Sequence, residues 1–520
     1  MQIIIPMSGI GKRFKEAGYT DPKPLINVDG YPMIKHVIDL FPQESNFTFI
    51  CNDQHLKETK IREILTKLKP GCKIYEVPVG SKKGPVEVVL SIQDEIDDDE
   101  EVIVSYCDYG TVWNYENFLC DVSYRNLDGC IPCYTGFHPH MLGPDHYAYV
   151  KEDNKIALQV QEKKPFTDNK MSEYASNGTY YFKNGAILKK YFNKLVDSGE
   201  TINDEYYVSM VYNAMIEDGL KVGVFEIQKM LQWGVSNDLE AYQMWSDYFR
   251  SPKEDKTVSC PVGTTLILPM AGRGSRFEIE GYKIPKPFIP VNGTIMVKEA
   301  VDCLPKCESQ IFGCSAQHLE LKMGDILKSY FPNGQIVSFS QTTKGQACTC
   351  EEMIKKSKIN PEKPILISAC DNGIEYNQGA LKKLFDDPLI DVIVFTFRDH
   401  PSSRYSPNSY AWMSVDSNNN ILSVSCKKMP EKGNIKKDHT IVGTMFFRKA
   451  KIFLEALSKD YLHKSITNGE YYVDNTIDRC IKSGLNVKAF EVDFYVCFGA
   501  PNDLKTYNYW REHFTKNENE

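Results

Sequence analysis

Long apolar runs are missing from this 520-residue chain, and no stretch approaches the roughly 18 residues that would cross a bilayer. The N-terminus has neither a basic leader nor an extended apolar segment, so the sequence predicts a soluble, cytoplasmic protein with no membrane partner. A basic balance is missing too. With 61 Lys and Arg against 69 Asp and Glu, the net charge is -8 and the pI is near 5.8. An extended nucleic-acid footprint needs a basic face, so nucleic acid is not an expected partner and any anion has to be held locally, in a pocket. The 16 cysteines show no closely spaced framework that survives in both halves, which argues against a repeated zinc or disulfide framework.

What is present is a repetition. Ile5-Pro-Met-Ser-Gly-Ile-Gly-Lys-Arg-Phe14, followed by Pro22-Lys23-Pro24, returns as Leu268-Pro-Met-Ala-Gly-Arg-Gly-Ser-Arg-Phe277, followed by Pro285-Lys286-Pro287. Arg13 and Arg276, Lys23 and Lys286, and Asp108 and Asp371 are each separated by 263 residues; Glu205 and Glu470, like Gly234 and Gly499, are separated by 265. A period of this size is a domain, not a solenoid unit. The expected organisation is therefore one domain over residues 1–250, a linker over 251–262 in a charged, Pro-containing stretch, and a second copy over 263–520. Each half is long enough to bury a full core.

One copy also tests the other. Cys130 and Cys133 have CxxC spacing, but Ile393 and Thr396 replace them in the second copy, and the acidic run Asp97–Glu101 becomes Asn360-Pro-Glu-Lys363. Neither feature therefore points to a metal. Only Cys51/Cys314 and Cys107/Cys370 recur, as expected of buried free thiols in a reducing compartment. His55 and His318, the only recurring histidines, read as packing or capping groups at a helix start.

Short apolar runs such as Gln2–Ile5, Phe47–Cys51, Val102–Ser105, Thr265–Leu268, Pro364–Ser368 and Val392–Thr396 alternate with helical patterns such as His55–Leu68. Strands alternating with helices predict βαβ units around a mostly parallel sheet, with ligands beyond the carboxyl ends of the strands. The motifs fall at those ends. Gly9-x-Gly11-x-Arg13 and Gly272-x-Gly274-x-Arg276 directly follow a first strand. Glycines let backbone amides approach a phosphate and arginine adds a forked cation. The loop has no third glycine of a dinucleotide fingerprint and no Walker ending. Taken alone it reads better as a tight turn; Lys23 and Lys286, each fixed between two prolines, shift the reading toward phosphate binding. Asp108 and Asp371 end later strands in a shared Ser-x-Cys-Asp context and suit Mg²⁺, which takes few protein ligands.

This combination of Gly-x-Gly-x-Arg-Phe, Pro-Lys-Pro and a strand ending in a single aspartate resembles the sugar-phosphate nucleotidyltransferases, over essentially all of both halves. The resemblance implies two tandem, Rossmann-like three-layer α/β domains with mixed, mostly parallel sheets. It also implies a Mg²⁺-dependent reaction of an NTP with a phosphorylated small-molecule acceptor, typically a sugar 1-phosphate, to give a nucleotide sugar and pyrophosphate. Arg13, Lys23, Arg276 and Lys286 would be the catalytic cations. Gly9, Gly11, Gly84, Gly272, Gly274, Gln341 and Gly345 would meet the nucleotide, with Lys83-Gly84-Pro85-Val86 aligned to Lys344-Gly345-Gln346-Ala347. Glu162, Lys163, Gly178 and Glu205 would meet the acceptor in the first copy, and Lys427, Gly443 and Glu470 in the second. Glu205 and Glu470 read equally as first-turn carboxylates of a helix.

The chain departs from the family pattern in two places. Gln232 and Cys497 stand where many members have a second metal-binding aspartate, leaving Asp238 and Asp503 as substitute ligands or helix caps, and Cys426 stands where the first copy has Glu162. Three alternatives are open: a cytidylyltransferase acting on a non-sugar phosphate, a non-catalytic nucleotide-binding role for one or both copies, and assembly into homo-oligomers. A related glycosyltransferase would show Asp-x-Asp, whereas this chain has Asp108-Tyr-Gly and Asp371-Asn-Gly. A surface polysaccharide is the expected destination of the product.

Overall fold

In the computed structural model, which describes residues 1–252 and 258–516, Ile3 and Ile5 of the strand Gln2–Met7 enter one apolar cluster and Ile4 enters another. The same split occurs on the neighbouring strand Val102–Ser105, where Val102 and Val104 share the cluster of Ile4 and Ile103 lies on the other side. A strand buried on both faces is a continuous apolar run, and each face is covered by helices. On one side lie Pro85–Leu90 and Gly185–Ser198 through Val86, Val89 and Leu188; on the other lie Met33–Ile38 and Tyr115–Arg125 through Ile34, Val37 and Phe118. The result is a three-layer α/β unit.

The chain divides into two compact units, with the boundary in sequence between Phe249 and Arg250. In the first, a ten-stranded sheet has Lys73–Val77, Asn46–Asn52, Gln2–Met7 and Val102–Ser105 side by side and parallel. Thr179–Phe182 then runs antiparallel to both Val102–Ser105 and Gly129–Tyr134. The chain builds outward from Gln2–Met7 on one side and then crosses to Val102–Ser105 on the other. This reversal leaves a crevice at the carboxyl ends of the two strands. In the second unit Thr265–Pro269 is parallel to both Ser309–Ser315 and Ile365–Ile367, and Ile365–Ile367 is antiparallel to the long strand His439–Phe447. Leu266 and Leu366 face one core, Ile267 and Ile367 the other.

Three expectations change. The helical pattern His55–Leu68 is two helices, Asp53–Glu58 and Ile61–Leu68, because Thr59 leaves the helical region and its hydroxyl takes the His55 carbonyl at 2.7 Å. The linker narrows: residues 253–257 lie outside the described residues, while Val258 is buried in the second core and Cys260 donates its N–H to the Lys306 carbonyl at 2.9 Å. Third, the helix start expected at Glu205 and Glu470 lies further on. Each closes a two-residue turn, with Ile202 and Thr467 respectively, and the helices begin at Val211 and Val473.

Cys130 and Cys133 are both buried on the strand Gly129–Tyr134 but belong to opposite core clusters, so the pair cannot share one ion. His55 and His318 are buried, and each N–H is capped, by Asn52 at 2.7 Å and Ser315 at 3.3 Å. No helix among the described residues is long and apolar enough to cross a membrane.

Candidate active site

The glycine loop leaves Gln2–Met7 at the crevice. Gly11 takes φ 65° ahead of the short helix Lys12–Glu16, and Gly274 takes φ 67° in the second unit. A side chain would be strained there, and at Gly274 a Cβ would also press to 3.1 Å on that of Lys286. Gly9 and Gly272 face open space: a Cβ at either meets nothing within 4 Å. The second glycine is thus demanded by backbone conformation, and the first keeps the crevice clear. Arg13 and Arg276 are exposed at the loop ends.

Pro22 and Pro24 hold Lys23 at the start of a single 3₁₀ turn, and Lys286 is held likewise. Lys23 Nζ lies on Asp108 Oδ2 and donates to the Gly234 carbonyl at 2.7 Å; Lys286 lies on Asp371 Oδ2 and donates to the Gly499 carbonyl at 3.0 Å. Each ammonium sits beside the phenylalanine of the glycine loop, 5.3 Å from the Phe14 ring and 5.8 Å from the Phe277 ring. Three segments far apart in sequence therefore meet at one ammonium, twice. Burial works to raise the Asp371 carboxyl and to lower the Lys286 ammonium, yet each overcomes it through the other: the aspartate is held below the usual range and the lysine above it.

Two cavities meet at Asp108 in the first unit. One, of about 400 Å³, runs past Gly9, Gly80 and Gly84. The other, of about 440 Å³, runs past Arg13, Glu162, Lys163 and Gly178. Gly9, Gly11, Glu205 and Tyr207 line both. Of the expected residues, Gly84 lines the first lobe alone and Glu162, Lys163 and Gly178 the second alone, while Gly9, Gly11 and Glu205 are shared.

Gly84 and Gly345 have positive φ, 90° and 123°. A Cβ on Gly84 would lie 2.8 Å from the Tyr206 nitrogen, and one on Gly345 2.6 Å from the Tyr471 nitrogen. The close approach is fixed by backbone hydrogen bonds: Tyr206 N–H to the Lys83 carbonyl at 2.9 Å and Val86 N–H to the Tyr206 carbonyl at 3.3 Å, with Tyr471, Lys344 and Ala347 paired in the same way. Gly84→Ala is therefore expected to destabilise the first unit by at least about 2 kcal/mol, combining backbone strain with a backbone clash. Hydrogen exchange in the strand Gln2–Met7 checks this; unchanged protection would refute it.

On the acceptor side, Glu162 ends the strand Ile156–Glu162 and accepts the Ser209 hydroxyl at 2.6 Å. Burial pushes its carboxyl up to about 7, against the opposing pull of Ser209 and Lys163. Lys163 and Lys427 share a left-handed φ, 57° and 53°. Each ammonium lies over a tyrosine ring, 4.1 Å from Tyr207 and 5.3 Å from Tyr472. Glu205 accepts the Tyr207 hydroxyl. Gly178 (φ 96°) and Gly443 (φ 98°) keep backbone close to Tyr106 and Ala369 respectively.

Among the described residues no group of three His, Cys, Asp or Glu could hold a metal. A Cβ built on Gly234 would touch Gln232 Oε1 at 3.0 Å and Asp108 Oδ2 at 3.2 Å, so these two oxygens flank the same point. A carboxylate and an amide oxygen fit Mg²⁺, which completes its shell with phosphate oxygens and water. In the second unit the neighbour of Asp371 is the Cys497 thiol, which burial holds protonated and which suits Mg²⁺ poorly. Asp503 has both oxygens engaged, by the Ser402 hydroxyl at 2.8 Å and by the Ala500 N–H at 3.1 Å, in the first turn of the helix Pro501–Lys516. That is a cap. Asp238 occupies the same place in the first turn of Ser236–Arg250. Gln341 is exposed ahead of the helix Gln346–Lys356.

Sequence reasoning passed over Tyr106, Ser209 and the tyrosines beneath the lysines. Tyr207 and Tyr472 stand in the Glu-Tyr-Tyr motif itself, and their recurrence was the available signal.

The model of the family described as Nucleotidyl transferase matches residues 2–247. Among curated relatives, the bifunctional protein GlmU of Methanococcus aeolicus is 23% identical over 254 residues, covering 48% of this chain and 54% of the relative. GlmU of Alkaliphilus metalliredigens is 26% identical over 230 residues, covering 44% and 47%. The matched regions span about half the length of these relatives. Similar solved structures include a nucleoside-diphosphate-sugar pyrophosphorylase from Vibrio cholerae (23% identity, 46% of this chain and 98% of that one, TM-score 0.38). Another is the inositol-1-phosphate CTP transferase from T. maritima (16% identity, 48% and 96%, TM-score 0.36). Over residues 2–247, just under half of the chain, the sequence is thus similar to the nucleotidyltransferases.

Proposed function

We propose that the chain carries two tandem copies of one nucleotidyltransferase domain, and that it joins an NTP to a sugar 1-phosphate with release of pyrophosphate, for surface polysaccharide synthesis. The observation that carries this reading is the twice-built lysine–aspartate pair beneath a glycine loop, which in the first unit lies where two lobes of one crevice meet. A phosphate oxygen of the acceptor forms the new bond to the α-phosphorus, and the bond from that phosphorus to the bridging oxygen breaks as pyrophosphate leaves. The attacking oxygen is already anionic at neutral pH, so no general base is needed. Stabilising the charge on the α-phosphate and on the leaving group is needed instead. Arg13 and Lys23 supply this in the first unit, Arg276 and Lys286 in the second. Lys163 orients the acceptor's phosphate and Glu162 a hydroxyl, while Glu205 lies where both lobes meet. Mg²⁺, when bound, would neutralise phosphate charge, with Asp108 and Gln232 as its protein ligands in the first unit and Asp371 in the second.

A second reading for the other half has its own observation. Cys497 in place of Gln232 weakens metal binding there and favours a nucleotide-binding role without turnover. A non-sugar phosphate with CTP as donor would use the same cations.

The protein incubated with each NTP, Mg²⁺ and a panel of sugar 1-phosphates and other phosphomonoesters is expected to release pyrophosphate, and chelating the metal to stop it. Arg13→Ala or Arg276→Ala, whichever lies in the working unit, should slow release about 10²- to 10³-fold. Release from no pair would refute the reading. Loss in one variant only would identify the catalytic half.

A further inference from the structure

By alignment the second unit has lost the carboxylate that Glu162 contributes to the first, since Cys426 stands in its place. The structure returns one from another element. Ser209, which donates to Glu162 at 2.6 Å, corresponds at the 265-residue offset to Asp474. Asp474 lies in the first turn of the helix Val473–Lys482, and its Oδ2 is 3.9 Å from the Cys426 sulfur. A strand carboxylate facing a hydroxyl has become a helix carboxylate facing a thiol.

The surroundings are retained. Lys427 keeps the left-handed backbone of Lys163 and its place over a tyrosine ring. The residue beneath is smaller. Tyr106, whose phenol neighbours Glu162 and the Val208 backbone in the first unit, is replaced by Ala369, which packs on Gly443 where the Tyr106 ring packs on Gly178. Ser209 is fully buried, whereas solvent reaches Asp474. Burial pushes the Asp474 carboxyl up, against the pull of Lys427. Such a carboxylate gains when a ligand brings hydrogen-bond donors to it.

We propose that Asp474 is the hydroxyl-binding residue of a second acceptor site, which pairs with Lys427 to hold a hydroxyl-bearing phosphomonoester different from the one taken by the first unit. The assignment rests on reading the chain as a transferase, and the test separates the two. Full-length protein carrying Arg13→Ala and Lys163→Ala, which disable the first unit, is titrated calorimetrically with glucose 1-phosphate, N-acetylglucosamine 1-phosphate and glycerol 3-phosphate, and assayed with each for pyrophosphate release. At least one compound is expected to bind. Asp474→Asn in that background should raise its Kd and acceptor KM roughly tenfold to a hundredfold, with the KM for NTP within about twofold. The paired variant Cys426→Glu/Asp474→Ser, which rebuilds the first unit's arrangement, should restore binding and shift the preference toward the compound the first unit uses. An unchanged acceptor Kd and KM in Asp474→Asn, or no binding of any compound, would overturn the assignment. Binding that depends on Asp474 without pyrophosphate release from any form of the protein would uphold the site and remove the transferase reading. Release that Asp474→Asn leaves unaltered would do the opposite.

Discussion

Lys286→Met is expected to destabilise the second unit by about 3 kcal/mol at neutral pH, because it leaves Asp371 largely buried without its cation. Methionine keeps an unbranched apolar side chain of similar length and removes the ammonium that lies on Asp371 and beside the Phe277 ring, so the loss reports chiefly the charge. The sign of the pH dependence follows from the pair. In the native protein the Asp371 carboxyl lies below its ordinary range, so its contribution is present at neutral pH and is lost on acidification. Lys286 lies above its ordinary range, so its share is present at neutral pH and is lost in strong alkali. Without the lysine, burial is opposed only by the weaker pull of Arg276 and Lys427 and raises the aspartate; the deficit of the variant should therefore shrink as pH falls and the carboxyl protonates. Adding Asp371→Asn should recover much of the stability, though no activity. Hydrogen exchange in the strand Ile365–Ile367, followed from pH 5 to 8, measures all three proteins. A double variant as unstable as the single one would mean that the two groups are not coupled.

Glu162→Gln should produce the opposite balance, a first unit that is firmer and works less well. Burial lifts the Glu162 carboxyl to about 7, above its unfolded value. A raised folded-state pKa contributes stability that is fully present below the unfolded pKa and is lost as pH rises through about 7. Glutamine cannot ionise, so the variant should match the native protein near pH 5 and exceed it at pH 8 by on the order of 2 kcal/mol. The acceptor KM should rise in parallel, since a charged partner for a hydroxyl has been replaced by a neutral one. Thermal unfolding of the two proteins at several pH values decides the matter; curves that stay parallel would show that Glu162 does not titrate in this range.

Much of this was legible in the sequence, for identifiable reasons. The strands at the crevice are short apolar runs bounded by Pro and Gly, and local pattern suffices to place them. The loop glycines, the proline-flanked lysines and the strand-end aspartates recur at a fixed spacing, and a two-copy chain exposes such recurrence without any alignment. What stayed hidden depends on contacts between distant segments. That Lys23 would lie on Asp108 and on the Gly234 carbonyl could not be seen from a motif, because three separate segments have to converge first. Asp474 was hidden for a subtler reason. A position-by-position comparison asks whether Glu162 is kept, whereas folding asks only whether a carboxylate reaches that point, from any element. Reading Ser209 against Asp474 at the same offset would have raised the question earlier.

The backbone clasp at Gly84 carries a kinetic consequence. Lys82, Gly84 and Pro85 border the lobe assigned to the nucleotide, Glu205 and Tyr207 border both lobes, and Tyr206 ties the two segments together through main-chain hydrogen bonds to Lys83 and Val86. A substitution that leaves the Tyr206 and Val86 N–H groups in place leaves both bonds of that tie available. A donor that draws the Lys83–Gly84 segment inward must carry Glu205 and Tyr207 with it, so occupancy of one lobe reshapes the other. An obligatory order of substrate addition, donor before acceptor, would then be a property of two residues of main chain.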